Sequence, residues 1–241
     1  MTDKERFRGQ LELIDPDNLQ MPIDVIGAGS VGSFTVLALV RMGCSDIVVW
    51  DGDKLEEHNI SNQFCRHDKL GEPKASALRD LILELDGVEI TAKDKFYAGE
   101  TLSSAVVISG VDSMKARKNV IWPNVKKNPF IERYIDCRTG DGLMRVFAIQ
   151  PSNPDHIKFY ENPEILYDDT EAVQLPCTRK GIIHTSMVAA SIIARLVQYH
   201  ADPEQYKIGD IEYTIDFNTF TAHVANSVEQ VVLESETECD E

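Results

Sequence analysis

The chain has 241 residues, enough to bury one sizeable core, and its 43% hydrophobic and 27% charged residues exclude a disordered or fibrous polymer. A formal charge of −16, from 40 acidic against 24 basic side chains, repels phosphate backbones and anionic membranes at long range, which argues against nucleic acid as the main partner. The opening Met1 to Arg8 lacks an apolar signal core and no apolar run reaches the length of a membrane span, so a cytoplasmic protein without a membrane partner is expected.

Residues 1–22 read as a short helix and loop, with Arg6 and Arg8 near Gly9 and a turn at Asp15-Pro16-Asp17-Asn18. The two arginines read either as phosphate contacts or as a solvated helix face. Ile23, Val25 and Ile26 form a short strand. It runs into Gly27-Ala28-Gly29-Ser30-Val31-Gly32, then an apolar helix to Met42 that Gly43 closes, then a strand Ile47 to Trp50 ending on Asp51. This is a βαβ phosphate-binding unit: the glycines allow a tight turn and close backbone approach, and the helix N-terminus faces the anion. Asp51 stands where a ribose-binding carboxylate is expected.

Beyond Asp51-Gly52-Asp53 comes a polar segment with Asn59, Asn62, Gln63, Cys65 and Arg66, leading through Gly71-Glu72-Pro73 into a helix Ala75 to Leu85. Lys74 lies in the first turn of that helix, where a cation opposes the dipole and suggests an anion to be met; a surface lysine is the plainer alternative. Val88 to Ile90 opens an edge strand, and Ala105 to Ser109 reads as a buried central one. Strand ends of open parallel sheets face the ligand crevice, so Asp112 points there, as a Mg²⁺ ligand or as the N-cap of a helix Met114 to Val120.

Phe130 to Arg138 and Leu143 to Ile149 alternate about a turn at Thr139 to Gly142, which turns the sheet partly antiparallel. Residues 151–176 read as a long crossing loop with one helical turn. At its end, Cys177 lies beside Arg179, Lys180 and the start of a helix Ile182 to Tyr199, surroundings that favour a thiolate, although a lone cysteine also serves structure. Tyr213 to Phe217 and Phe220 to Val224 form a terminal hairpin, followed by a frayed acidic tail, Glu234 to Glu241. The cysteines at 44, 65, 137, 177 and 239 make no C-x-x-C pair, so neither zinc nor a disulfide framework is expected.

The pattern predicts one α/β domain: a Rossmann-like, mostly parallel sheet continued by antiparallel strands, with helices on both faces. Its parts are an N-terminal arm (1–22), a nucleotide-binding core (23–150), a crossover loop (151–180) and a C-terminal helix with strands (181–241).

Gly27-x-Gly29-x-x-Gly32, Asp51-x-Asp53, Asn59-x-x-Asn62-Gln63, Gly71-x-x-Lys74, Asp112 with Arg117, and Cys177-Thr178-x-x-Gly181 occur in this order. Together they resemble the adenylation domain of the ThiF/MoeB/ubiquitin-activating-enzyme superfamily from Arg6 to about Tyr199. The resemblance implies an adenylyltransferase that uses ATP and Mg²⁺ to activate the C-terminal carboxylate of a ubiquitin-like or sulfur-carrier protein ending in glycine. In that light the glycine loop with Ser30 cradles phosphates, Asp51 holds the ribose hydroxyls, Asn59 and Lys74 contact phosphate, and Asp53, Asn62 and Gln63 complete the nucleotide site. Asp112 carries Mg²⁺, Arg6 reaches into the neighbouring site of a homodimer, and Cys177 is the candidate thioester cysteine. A conjugating enzyme or sulfurtransferase would follow.

The chain departs from the family pattern where relatives carry Asn-x-x-Arg-Gln, since Asn62-Gln63 omits the arginine and leaves Arg66 as the candidate substitute. Gly9 also stands where a second N-terminal arginine is common. Three other readings remain open. An NAD-dependent dehydrogenase explains Gly27 to Asp51 but not Lys74 or Asp112. A transfer-RNA-modifying dehydratase would draw on a basic patch of Lys115, Arg117, Lys118, Lys126 and Lys127. A non-catalytic partner-binding module would keep the fold without the arginine.

Overall fold

The computed structural model describes residues 4–168, 182–202 and 210–226. The elements, in chain order, are β1 (Ile23–Ile26), α1 (Ser30–Met42), β2 (Ile47–Trp50), α2 (Lys74–Asp86), β3 (Thr91–Lys93), β4 (Val106–Ser109), α3 (Met114–Ala116), a π turn (Arg117–Ile121), α4 (Trp122–Lys127), β5 (Arg133–Gly140), β6 (Leu143–Ile149), α5 (Pro154–Tyr160), α6 (Ile183–Ala201), β7 (Asp210–Asp216) and β8 (Thr221–Asn226). The strands form one sheet in the order β3-β2-β1-β4-β5-β6-β7-β8. It is parallel from β3 to β5 and antiparallel from β5 to β8. The expected mixed architecture is therefore what forms.

Residues of both parities in the central strands are buried because each face of the sheet is covered. Ile23, Val25, Ile47, Val49, Val106 and Ile108 join α1, α2 and α6 in one core. Ile26, Val107, Tyr134, Phe147 and Ile149 join Trp122, Val125 and Tyr160 in the other. Among the described residues no helix is long and apolar enough to cross a membrane.

Register decides where a ligand can go. Ile26 lies beside Trp50 on one side and Ser109 on the other, so β1, β2 and β4 end level. The chain leaves β1 toward β2 and β3, then returns to β4 on the opposite flank, which makes the β1/β4 boundary a topological switch point. Asp136 lies beside Ser109, so Cys137 to Gly140 carry β5 past the end of β4 while still paired with β6. The turn of that hairpin is Asp141-Gly142, both at positive φ (51° and 77°), the two-residue geometry that an Asp-Gly pair favours.

Several expectations need correction. The edge strand starts at Thr91, after the Val88 to Ile90 segment. The helix from Met114 does not stop at Val120; it passes through the π turn and continues to Lys127. Residues before β1 form turns and a single 3-10 turn, Pro16–Leu19, capped by Asp15. The crossing segment carries α5, whose Tyr160 is fully buried between Trp122, Tyr134 and Phe147. The acidic tail and the Cys177 segment lie outside the described residues.

Gly32 has the tightest contact in the glycine loop: a Cβ built there would lie 1.8 Å from the carbonyl oxygen of Gly27. Gly32→Ala must displace backbone, and overpacking of that kind costs about 1–3 kcal/mol or more. Urea denaturation of this variant should show a loss at or above that range, and an unchanged midpoint would contradict the loop geometry.

Candidate functional site

A cavity of about 1100 Å³ opens at the carboxyl ends of β1, β4 and β5. Gly29, Ser30, Asp53, Asn59, Asn62, Gln63, Lys74 and Asp112 all line it. Most of the residues expected to bind a nucleotide are thus brought together from three separate connections.

Helix α1 begins on Gly29 with no side-chain cap, so its first N–H groups are left for solvent or an anion. Asp51 does not line this cavity. Its carboxylate turns back into the fold and accepts from the Ala28 amide at 2.7 Å and the Asp53 amide at 2.8 Å. Burial raises the Asp51 carboxyl above its usual range, and the two backbone donors pull against that shift. Asp51 therefore fixes the loop, while Asp53 presents its carboxylate to the cavity and receives Lys74 Nζ at 3.0 Å.

Lys74 is not a surface lysine: its side chain is 11% exposed and ion-paired. Asn59, 4% exposed, accepts from the Glu56 amide and closes the capping box of the 3-10 turn Glu57–Asn59, while its carbonyl accepts from the Asn62 and Gln63 amides. Asn62 Oδ1 and Gln63 Oε1 are buried without a protein partner. Unsatisfied acceptors in a cavity wall fit a ligand that brings hydroxyl or amine donors, as a nucleoside does. Asp112 is exposed on the cavity, and the N-cap of α3 is Ser113, whose Oγ accepts from the Ala116 amide at 3.1 Å; the N-cap reading of Asp112 is overturned.

Two expected cations lie elsewhere. Arg66 is bound to Asp68 and Glu84 at 2.6–2.8 Å and is not in the cavity, so it does not replace the missing family arginine. Arg6 donates to the Asp86 carbonyl at 2.5 Å, at the far end of α2 from Lys74. A helix of 13 residues separates the two by roughly 20 Å, so Arg6 does not serve the cavity of its own chain. Arg8 is exposed and faces Glu5. Cys177 lies outside the described residues.

The cavity also has a wall of which the sequence reading singled out only Arg117. Asp136, at the end of the part of β5 that pairs with β4, is fully buried and flanked by two arginines: Arg117 Nε at 2.7 Å and Arg138 Nε at 2.8 Å. Tyr160 donates its hydroxyl to the same carboxylate at 2.9 Å. Burial alone would raise the Asp136 carboxyl; the two guanidiniums outweigh it and hold the group below the ordinary range. Arg117 also donates to the Cys137 carbonyl, and Arg138 to the Ile165 carbonyl, with its guanidinium 4.6 Å from the Phe147 ring centre. Of the proposed basic patch, Arg117 is buried here, Lys118 pairs with Asp168 and Lys126 with Glu161. The available signal was an Asp-Cys-Arg run at the carboxyl end of a strand beside the switch point.

The ThiF family model matches residues 10–239. The chain belongs to the ThiF family. Among curated relatives of this ThiF-family chain, the ubiquitin-like modifier-activating enzyme 5 of Drosophila grimshawi is 24% identical over 91% of the chain and 58% of its own length. The chain thus spans little more than half of that relative. The tRNA threonylcarbamoyladenosine dehydratase of Haemophilus influenzae is 30% identical over 49% of the chain and 50% of its own length. Among solved structures, PaaA superposes with a TM-score of 0.74 at 18% identity, covering 94% of this chain and 84% of that one. E. coli MccB with AMPCPP and MccA superposes at 0.69 with 15% identity, covering 88% and 65%. At these identities the two structures establish the fold.

Replacing Asp136 by asparagine removes the only carboxylate that, among the described residues, bonds either buried arginine. Breaking a buried pair in this way costs about 3–5 kcal/mol, which urea denaturation at neutral pH should register. The wild-type stabilisation is complete above the unfolded carboxyl value near 4 and is lost as pH falls through the lower folded value. The asparagine variant should lack that part of the acid limb, and an identical pH profile would contradict the pairing.

Proposed function

We propose that the cavity binds ATP with Mg²⁺ and activates a carboxylate as an acyl-adenylate, the substrate being the C-terminal carboxylate of a ubiquitin-like or sulfur-carrier protein ending in glycine. The observation that carries this reading is the cavity wall that unites the uncapped start of α1, Lys74, Asp112 and the partnerless amide oxygens of Asn62 and Gln63. Family membership supports it, as do a relative named for activating a ubiquitin-like modifier and a solved neighbour holding AMPCPP with MccA.

In the reaction, a carboxylate oxygen attacks the α-phosphorus of ATP. The bond from that phosphorus to the oxygen bridging to the β-phosphate breaks, and pyrophosphate leaves with the electron pair. A carboxylate is a weak nucleophile and pyrophosphate carries high charge, so catalysis rests on alignment and charge stabilisation. The α1 N–H groups and Ser30 receive phosphate oxygens, and Lys74, exchanging Asp53 for phosphate, draws charge toward the α2 side. Asn59, buried under the turn, keeps Asn62 and Gln63 facing the nucleotide.

Mg²⁺ suits the donors present. Among the described residues no group of three His, Cys, Asp or Glu could cage a metal, but Mg²⁺ needs only one or two carboxylates besides substrate phosphates. Asp112 would hold it, and the ion would supply neutralisation of the pyrophosphate charge.

Arg6, remote from its own cavity, is suited to a neighbouring copy, which makes a homodimer part of the reading. Cys177 is the candidate for a following thioester, with a conjugating enzyme or a sulfurtransferase downstream. The dehydratase reading draws on the Haemophilus influenzae relative. It is weaker because Lys118 and Lys126 are occupied by acids and the chain carries −16 overall.

ATP–pyrophosphate exchange with candidate glycine-ended carrier proteins tests the reaction. Asp112→Ala and Lys74→Ala should each lower exchange by about 10²–10³ without shifting the melting temperature. Wild-type exchange rates in either variant would overturn that residue's role. Cys177→Ala should keep exchange and lose the thioester band on a non-reducing gel, and a persisting band would move the thioester elsewhere. ATP binding with no exchange for any carrier would favour a binding module over an enzyme.

A further inference from the structure

Arg117 and Arg138 bring two positive charges into the cavity wall, and Asp136 returns one. The side chains are 4%, 11% and 0% exposed respectively, so water does little to screen the remainder. Among the described residues the other partners of the arginines are neutral: the Cys137 carbonyl and Met114 sulfur for Arg117, the Ile165 carbonyl and Tyr160 hydroxyl for Arg138. A buried charge without a directly bonded counter-charge is costly, so the pair favours an anion beside it. A guanidinium has five donors in one plane; Arg138 uses three of them on Asp136, Ile165 and Tyr160.

Position in the sheet indicates which anion. The glycine loop leaves β1, whereas Arg138 follows Asp136 on β5, two strands away, or about 10 Å at ordinary strand spacing. Lys74 lies on the other flank, at the start of α2. If Lys74 draws the leaving pyrophosphate to its side, in-line displacement requires the nucleophile to enter from the β4/β5 side. The overhanging strand Cys137 to Gly140, with Met114, Leu143 and Tyr167, adds apolar surface to that side, beside the charged side chains of Asp141, Arg145 and Asp216. Planar donors beside apolar surface fit a carboxylate, which accepts two parallel hydrogen bonds.

We propose that Arg117 and Arg138, clamped by Asp136 and Tyr160, form the subsite that takes the carboxylate of the acyl substrate, at the end of the cavity opposite Lys74. The proposal rests on the adenylation reading for the placement of the nucleotide, and it assigns the two arginines to the acyl group. Asp136 and Tyr160 are positioning residues. The β5 overhang then becomes the wall along which an extended C-terminal tail enters.

The test uses glycylglycine as the carboxylate probe and glycylglycinamide, which keeps the amine and lacks the carboxylate, as its counterpart, each titrated calorimetrically into protein saturated with AMPCPP and Mg²⁺. Glycylglycine should bind at least about ten-fold more tightly than the amide, the worth of one charge-assisted hydrogen bond. Arg138→Gln should remove that preference while holding AMPCPP affinity within about three-fold, and Arg138→Lys should fall between. Equal or absent binding of both dipeptides to the wild type would overturn the proposal. So would an Arg138→Gln variant that loses AMPCPP affinity ten-fold and keeps the dipeptide. Melting curves accompany each variant, and if the glutamine variant unfolds, the lysine variant decides by the same criteria. Failure of the adenylation reading is separately visible as no AMPCPP binding by the wild type. In that case the dipeptide preference and its loss in the variants are read on nucleotide-free protein.

Discussion

Gly32 lies so close to the carbonyl of Gly27 that only a hydrogen fits between them. That contact lets α1 start directly over the end of β1, with its first N–H groups uncapped and facing the cavity. The positions of the other cavity residues follow from it. Asp51 can reach the Ala28 amide only because the loop folds back over β2, and once there it also orders Asp53. Asp53 in turn meets Lys74 at the start of α2, so a chain of short contacts runs from the glycine loop to the far wall.

On the other flank the constraint is electrostatic. Asp136 is buried where an isolated carboxylate would be neutral, and it stays ionised because two guanidiniums and a tyrosine hydroxyl surround it. The π turn serves that arrangement by widening the helix where Arg117 must enter the wall. The two halves of the cavity thus differ in kind. One offers backbone donors, a lysine and amide side chains, and the other offers two buried arginines held on Asp136. A reaction joining a polyphosphate to a carboxylate needs both.

Local signals made much of this legible. The glycine spacing, Gly43 at the end of α1, the buried run in β4 and the Asp-Gly turn after β5 each act within a few residues, and each element forms close to its expected bounds. Lys74 was legible from its place at the start of a helix, and Asn59 only through the resemblance. What sequence could not resolve depends on partners far along the chain. Arg66 looked available until Glu84 and Asp68 took it, and Asp51 looked ligand-facing until the Ala28 amide claimed it. The Arg117, Asp136, Arg138 and Tyr160 cluster joins four positions on three different elements, and no spacing rule brings them together.

The central claim is that a glycine loop of dinucleotide type has become an ATP site through the residues that follow it. Parallel calorimetric titrations of the wild-type protein with ATP·Mg²⁺ and with NAD test this most directly. The account predicts saturable ATP binding that weakens when Mg²⁺ is removed, with NAD binding at least about ten-fold weaker because Lys74 and Asp112 face a polyphosphate rather than a nicotinamide ring. Tight NAD binding without ATP binding would contradict it.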